Sequence, residues 1–184
     1  MVYLFLADGF EAIEAVTPLD ILRRADIPIT AVSITGSISV RSSHNIFCNA
    51  DVLFENADFS DVRMIVLPGG QPGANNLMKH EGLKRLITGF AEAGKPMAAI
   101  CAAPIILGQL GLLKGLNATV YPGYESLMSG ANITGGFVEI AGNIITAIGP
   151  AASFEFAGAI IKLLKGEEVL SNVFENMMFR KPLM

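Results

Sequence analysis

Cysteine, histidine and charge are scarce in this chain, and each shortage narrows what it can be. Two cysteines, Cys48 and Cys101, cannot make a disulfide framework, which points to a reducing, cytoplasmic setting. Two histidines, His44 and His80, with no nearby Cys/His cluster, leave a metal site poorly supplied. Charged residues make up 16% and the net charge is −4; Arg23-Arg24, Lys79, Lys84 and Arg85 read as ordinary helix-surface charges, so no nucleic-acid partner is expected. The most apolar stretch, 96–113, is interrupted by Pro104, Gly108, Gln109 and Gly111, which argues against a membrane span. No cleavage pattern follows Met1, so no signal peptide is expected, and neither repeats nor low-complexity segments occur. What is abundant is apolar side chain, at 52%, too much for a disordered chain. That content, over 184 residues, predicts one domain spanning 1–184, with a well-filled α/β core or a buried subunit interface.

Taken in order, Val2 to Ala7 reads as a buried strand closed by Asp8-Gly9. Phe10 to Val16 has a short helical pattern carrying Glu11 and Glu14, and Thr17-Pro18 looks like a new N-cap and first residue of a second helix reaching Ala25. Ile29 to Ile34 is a strand. Ser37 to Cys48, with a turn at Ser42 to Asn45, predicts a hairpin added to the sheet edge. Met64 to Leu67 is a buried strand running into Pro68-Gly69-Gly70-Gln71-Pro72-Gly73. This loop lacks the spacing of a phosphate cradle, but its backbone N–H groups at a strand end suit an oxyanion or carboxylate. Leu77 and Leu83 to Ala93 read as helix. Ala118 to Tyr121 reads as a further parallel strand, Phe137 to Ala147 as a hairpin turning at Ala141-Gly142, Ser153 to Lys165 as an amphipathic helix, and Glu167 to Met178 as a last short one. Strands alternating with helices predict a doubly wound, mostly parallel sheet with helices on both faces and an added edge hairpin.

The stretch Met97-Ala98-Ala99-Ile100-Cys101-Ala102-Ala103-Pro104 concentrates the chemical interest. An uncharged strand ends on a cysteine, and Pro104 suits the first turn of a helix beginning near Ala102. Cys101 then occupies a strand-to-helix turn, the geometry of a nucleophile elbow. A helix start there is expected to lower the thiol pKa from about 8.5 toward the range of roughly 3.5–7.5. The plain alternative is a buried cysteine acting as a small hydrophobe. In a doubly wound sheet, ligands sit beyond the carboxyl ends of the strands. Asp8-Gly9, Gly69-Gly70 and Cys101 all fall there, which favours the functional reading.

Five motifs extend this picture: 7–14 (Ala-Asp-Gly-Phe-Glu-Ala-Ile-Glu), 66–70 (Val-Leu-Pro-Gly-Gly), 73–77 (Gly-Ala-Asn-Asn-Leu), 99–104 around Cys101, and Gly149-Pro150 with 153–157 (Ser-Phe-Glu-Phe-Ala). In these the chain resembles the ThiJ/PfpI superfamily, a flavodoxin-like group related to class I glutamine amidotransferase domains, and within it the branch of the Parkinson-disease protein deglycase. The resemblance implies that Cys101 is a reactive, easily oxidised cysteine and Glu14 the glutamate whose protonated carboxyl hydrogen-bonds its sulfur. It also implies that Gly69 and Gly70 offer backbone donors to an oxyanion, that Arg24 lies near a dimer interface, and that Cys48 lies at that interface.

Departures from the family pattern matter too. Ala102 follows the nucleophile where the peptidase-like branch has histidine, and no histidine follows Cys101, which excludes a Cys-His protease and the usual glutamine hydrolysis. Tyr121 stands for a pocket histidine, Ile148 for an arginine of the Gly-Pro motif, and His44 for a pocket-side arginine. Anion binding beside Cys101 is therefore expected to be weaker. On residue type alone Glu14 reads as a surface carboxylate, Tyr121 as either core or pocket donor, His80 as surface, and His44 as surface or subunit contact.

Two functions are expected from this. In the first, Cys101 and Glu14, with Gly69, Gly70, Ala102 and Tyr121 around the substrate, act without a cofactor on small reactive aldehydes or glycated side chains, as a glyoxalase or deglycase. In the second, Cys101 is a redox sensor oxidised to sulfinate in a stress chaperone. A kinase is excluded by the absence of a nucleotide-binding loop. Surplus apolar residues in 10–25 and 37–48, Ile21 among them, predict a twofold homodimer.

Overall fold

In the computed structural model, which describes residues 1–179, the main sheet has seven strands in the order β10-β11-β7-β6-β1-β2-β5. They are β1 (Val2–Leu6), β2 (Ile29–Ser33), β5 (Val52–Leu53), β6 (Met64–Leu67), β7 (Met97–Ile100), β10 (Val138–Ala141) and β11 (Ile144–Ala147). All pairs are parallel except β10 with β11, which form the antiparallel hairpin expected at that edge. The domain expected over 1–184 reaches five residues beyond the described part.

The period of β1 explains the layers. Val2, Leu4 and Leu6 enter one apolar cluster with α1 (Ala12–Arg24), α5 (Ser153–Lys165) and Val173 of α6 (Glu167–Asn176). Tyr3, Phe5 and Ala7 enter another with α2 (Gly73–Lys79), α3 (Glu81–Glu92) and α4 (Pro104–Gln109). Because alternate residues face opposite sides, a strand covered on both faces must be apolar throughout, and all five residues of β1 are buried. No helix among the described residues is long and apolar enough to cross a membrane.

Four expectations are corrected. Thr17-Pro18 does not start a new helix: Pro18 lies inside a continuous α1. The buried residues Ala12, Glu14, Ala15, Pro18, Ile21 and Leu22 keep one helical face across it, so packing outweighs a proline cost of about 3 kcal/mol. The hairpin of β3 (Ser39–Arg41) and β4 (Phe47–Asn49) forms as its own two-stranded sheet, because β5 pairs with β2 at that edge. Residues 118–121 are not a strand of the main sheet. Only Asn117–Ala118, β8, pairs, with β9 (Asn132–Ile133), since β11 already occupies the place beside β7. His80 is not simply a surface side chain: its ring accepts a hydrogen bond from the Leu83 N–H at 3.0 Å, capping α3, and packs edge-on to Phe54.

The loops after β1, β6 and β7 interlock at backbone distance. A Cβ on Gly70 would lie 2.6 Å from the Gly9 carbonyl oxygen, and its φ of +88° is in any case unfavourable for other residues. One on Gly69 would lie 2.8 Å from the Cβ of Cys101. Gly70→Ala is therefore expected to cost about 3 kcal/mol or more. Gly36→Ala, at φ +76° with nothing within 4 Å, should cost only about 1 kcal/mol. Urea denaturation of both variants measures the difference, and equal losses would contradict the interlock.

Candidate active site

Strand β7 delivers Cys101 to the turn before α4, and the residue adopts φ +64°. This left-handed conformation in a non-glycine residue lets the chain reverse within Cys101–Ala103. The turn is pinned on both sides: the Cys101 N–H donates to the Ala147 carbonyl and its carbonyl accepts from the Tyr121 N–H, each at 2.8 Å. The helix starts two residues later than expected, at Pro104, and the cysteine is 8% exposed.

Glu14, expected on the surface from its residue type alone, is fully buried on α1. Its Oε2 accepts from the Gly69 N–H at 2.8 Å, while Oε1 has no partner in hydrogen-bond geometry. Burial pushes its pKa up to about 7; the Cys101 thiol and the Gly69 amide pull the other way, and Glu11 adds to the rise. The thiol lies close enough to favour the ionised carboxylate, short of a formed hydrogen bond.

Cys101 departs from the expected low pKa. Burial pushes it up to about 12, with the charge of Glu14 and its interaction with the thiol adding to the rise. The backbone amides of Gly70 and Ala102 act in the opposite sense, favouring thiolate. The Glu14 contributions exist only while that carboxyl is ionised, so a neutral Glu14 is the condition under which the thiolate becomes accessible. Gly69 differs from expectation: its N–H is already taken by Glu14, leaving Gly70 and Ala102 as the amides turned to the sulfur.

A cavity of about 360 Å³ opens over Cys101 and is lined also by Glu11, Ser43, His44, Gly70, Gln71, Ala102, Tyr121, Tyr124 and Pro150. Tyr121 is thus a pocket wall and not core, with 46% of its surface exposed. His44 reaches the same cavity from the β3–β4 turn, whereas Ile148 packs against the core. Arg24 pairs with Asp20 on the α1 surface at 2.7 Å, and Cys48 is a half-buried free thiol. Ser43, Tyr124 and Glu11 are pocket residues without a role in the sequence-based expectations; the available cues are adjacency to His44, the three-residue step from Tyr121, and the turn of chain before Glu14. A larger groove of about 810 Å³ lies between β10, α5 and α6 and contains neither cysteine. Among the described residues no three His, Cys, Asp or Glu side chains gather as a metal-binding group.

The raised pKa of Glu14 has a consequence for stability. The folded state holds this proton more tightly than the unfolded chain, so the stabilisation is complete below the ordinary value of 4.5 and is lost as pH rises to about 7. That interval corresponds to roughly 3 kcal/mol. In urea titrations from pH 4.5 to 8, the stability of wild type relative to Glu14→Gln should fall by about that amount. Parallel curves would show that Glu14 is not a buried acid.

A family model described as the DJ-1/PfpI family matches residues 1–163. Protein DJ-1 homolog B of Arabidopsis thaliana is 38% identical over 164 residues, which are 89% of this chain and 37% of that protein, so the chain spans well under half of that relative. The Parkinson disease protein 7 homolog of Danio rerio is 35% identical over 91% of each chain. A Pyrococcus abyssi protein named as a deglycase is 28% identical over 89% of this chain and 99% of its own. The solved structure of oxidized Toxoplasma gondii DJ-1 superposes with a TM-score of 0.90 at 31% identity, covering 98% of both chains. The sheet order, the loops meeting at Cys101 and these likenesses agree: the chain belongs to the DJ-1/PfpI family.

Proposed function

We propose that this protein is a cofactor-independent enzyme acting on small reactive aldehydes such as methylglyoxal, or on the early adducts they form with protein side chains. The observation that carries the reading is a buried thiol at the floor of an open pocket, beside a carboxyl whose pKa lies near neutrality. The named deglycase among its relatives supports it. In this reaction the Cys101 sulfur adds to the aldehyde carbon; an S–C bond forms, the C=O π bond breaks, and the thiol proton goes to the oxygen. Glu14 then carries a proton from that carbon to the neighbouring carbonyl carbon while the hydroxyl proton passes to the former ketone oxygen, so that one C=O forms as the other breaks and a thioester of a hydroxy acid remains. Water cleaves the S–C bond, releasing lactate and the free thiol. Overall one water is consumed, and oxidation of one carbon matches reduction of the next, so no external redox partner is needed. A group titrating near pH 7 suits a proton that must be both taken and returned. Gly70 and Ala102 supply backbone amides at the sulfur, and Tyr121 closes one wall. Residues 1–184 are read as one cytoplasmic domain.

The unpartnered Oε1 of Glu14 favours a second reading, in which Cys101 is oxidised to a sulfinate that a protonated Glu14 holds by a hydrogen bond. The two readings separate in a pair of assays. Under the enzymatic reading, Cys101→Ser should abolish lactate formation from methylglyoxal and Glu14→Gln should lower kcat at least about a hundredfold; an active Cys101→Ser protein would refute it. Under graded peroxide, selective gain of two oxygens at Cys101 without aldehyde turnover would favour the sensor.

We also propose a twofold homodimer through α1 and the β3–β4 hairpin. The side chains that support it are Ile13, Val16, Ile46 and Phe47, which are 53%, 47%, 53% and 66% exposed. Ile21, expected at this contact, is 1% exposed and belongs to the core of its own chain. Sedimentation should give a dimer for wild type at micromolar concentration and a monomer for Ile13→Glu combined with Phe47→Glu; a wild-type monomer would refute the proposal.

A further inference from the structure

The cavity over Cys101 has an uneven distribution of charge. Its wall from the region after β7 is aromatic: Tyr121, anchored through its N–H to the Cys101 carbonyl, meets Tyr124 edge to face with ring centroids 6.4 Å apart. A Cβ on Gly149 would lie 3.3 Å from the Tyr121 ring, so the absence of a side chain there leaves room for the ring. The opposite wall is acidic. Glu11 comes from the start of α1, and its side chain is only 13% exposed. Its Oε2 accepts a hydrogen bond from the Ser43 hydroxyl at 3.3 Å and lies 3.3 Å from His44 Nδ1.

Among the described residues His44 is the one basic side chain on the lining, and it is 73% exposed, so solvent screens it more than it screens Glu11. Among the described residues, Arg23 pairs with Asp51 and Arg24 with Asp20, while Arg41 lines the neighbouring cavity together with Asp8. Beneath the floor, buried Glu14 adds a second carboxyl beside the same reacting sulfur. An arriving carboxylate would meet a partly desolvated anion on one side and aromatic rings on the other, with exposed His44 the one basic group among the described lining residues to receive it.

We propose that this pocket selects electrophiles by charge, admitting uncharged carbonyl compounds to Cys101 and rejecting those that carry a carboxylate, and that Glu11 sets the selection. The inference rests on the reading of Cys101 as the attacking thiol. It narrows the substrate class to neutral 2-oxoaldehydes with small aliphatic or aromatic substituents, excluding 2-oxoaldehydes that bear a carboxylate. His44 has the reverse part: when protonated it offsets some of the Glu11 charge at the rim.

The test needs no turnover. Iodoacetamide and iodoacetate alkylate a thiol by the same displacement, in which an S–C bond forms, the C–I bond breaks, iodide departs and the thiol proton passes to solvent. They differ only in charge. Alkylation of Cys101 is followed by peptide mass spectrometry in the native protein, and the iodoacetate-to-iodoacetamide rate ratio is divided by that of the same cysteine in the unfolded chain. A unit charge within several ångströms in a half-solvated cleft predicts a normalised ratio of about one tenth or lower. Glu11→Gln should bring it back to within about threefold of the unfolded value, and His44→Gln should depress it further. A native ratio equal to the unfolded one, no response to Glu11→Gln in a protein that folds, or a Cys101 inert to both reagents would each overturn the proposal. Turnover of phenylglyoxal against 4-carboxyphenylglyoxal, which share the reacting 2-oxoaldehyde and differ in charge, separates the two failures. Cys101-dependent turnover of both at equal kcat/KM overturns charge selection alone, whereas a low alkylation ratio with no aldehyde turnover overturns the enzymatic reading alone.

Discussion

A buried carboxyl must find a hydrogen-bond donor or give up its charge, and Glu14 does part of each. One oxygen takes the Gly69 N–H, which ties α1 to the loop after β6, while burial holds the acid near neutrality. Gly69 can serve because it carries no side chain: a Cβ there would lie 2.8 Å from the Cβ of Cys101. A single glycine thus joins the acid to the thiol, and the packing of α1 on the sheet becomes part of the electrostatics of the cysteine. Any change that moves α1 relative to β6 alters the donor that Glu14 sees and the charge that opposes the thiolate.

The same coupling explains why the cysteine is not a simple low-pKa thiol. A helix start alone would favour the thiolate, but α4 begins at Pro104 and is only six residues long, and the sulfur lies among apolar neighbours. The groups that favour ionisation are two backbone amides, and those that oppose it are burial and Glu14. The resting pair therefore holds its proton until a substrate or oxidant makes the sulfur charge useful.

Much of this was legible in the sequence because it depends on local pattern. Four-residue apolar runs at 64–67 and 97–100 could only be buried strands, and Cys101 followed by Pro104 marked the turn. The Ser153–Lys165 helix follows from its apolar face, and the hairpin of β10 and β11 from the turn at Gly142. What could not be read depends on tertiary competition. Pro18 signals a break by its chemistry, and only the burial of one face across it keeps α1 whole. Residues 118–121 have strand composition but lose their place to β11, whose partner residues in β7 are 47 positions away in the chain. At the site, Cys101 and the glycine loop follow from spacing. The Glu11–Ser43–His44 cluster does not, because it joins the start of α1 to a hairpin tip about 30 residues later.

The two-sided sheet also has consequences at its margins. One border is β5, two residues long, and the other is β10, four residues long and antiparallel to its neighbour. A chain this apolar offers few unpaired backbone groups on which a foreign strand could template itself, so its greasy interior is shielded from fibril growth by the brevity of its borders.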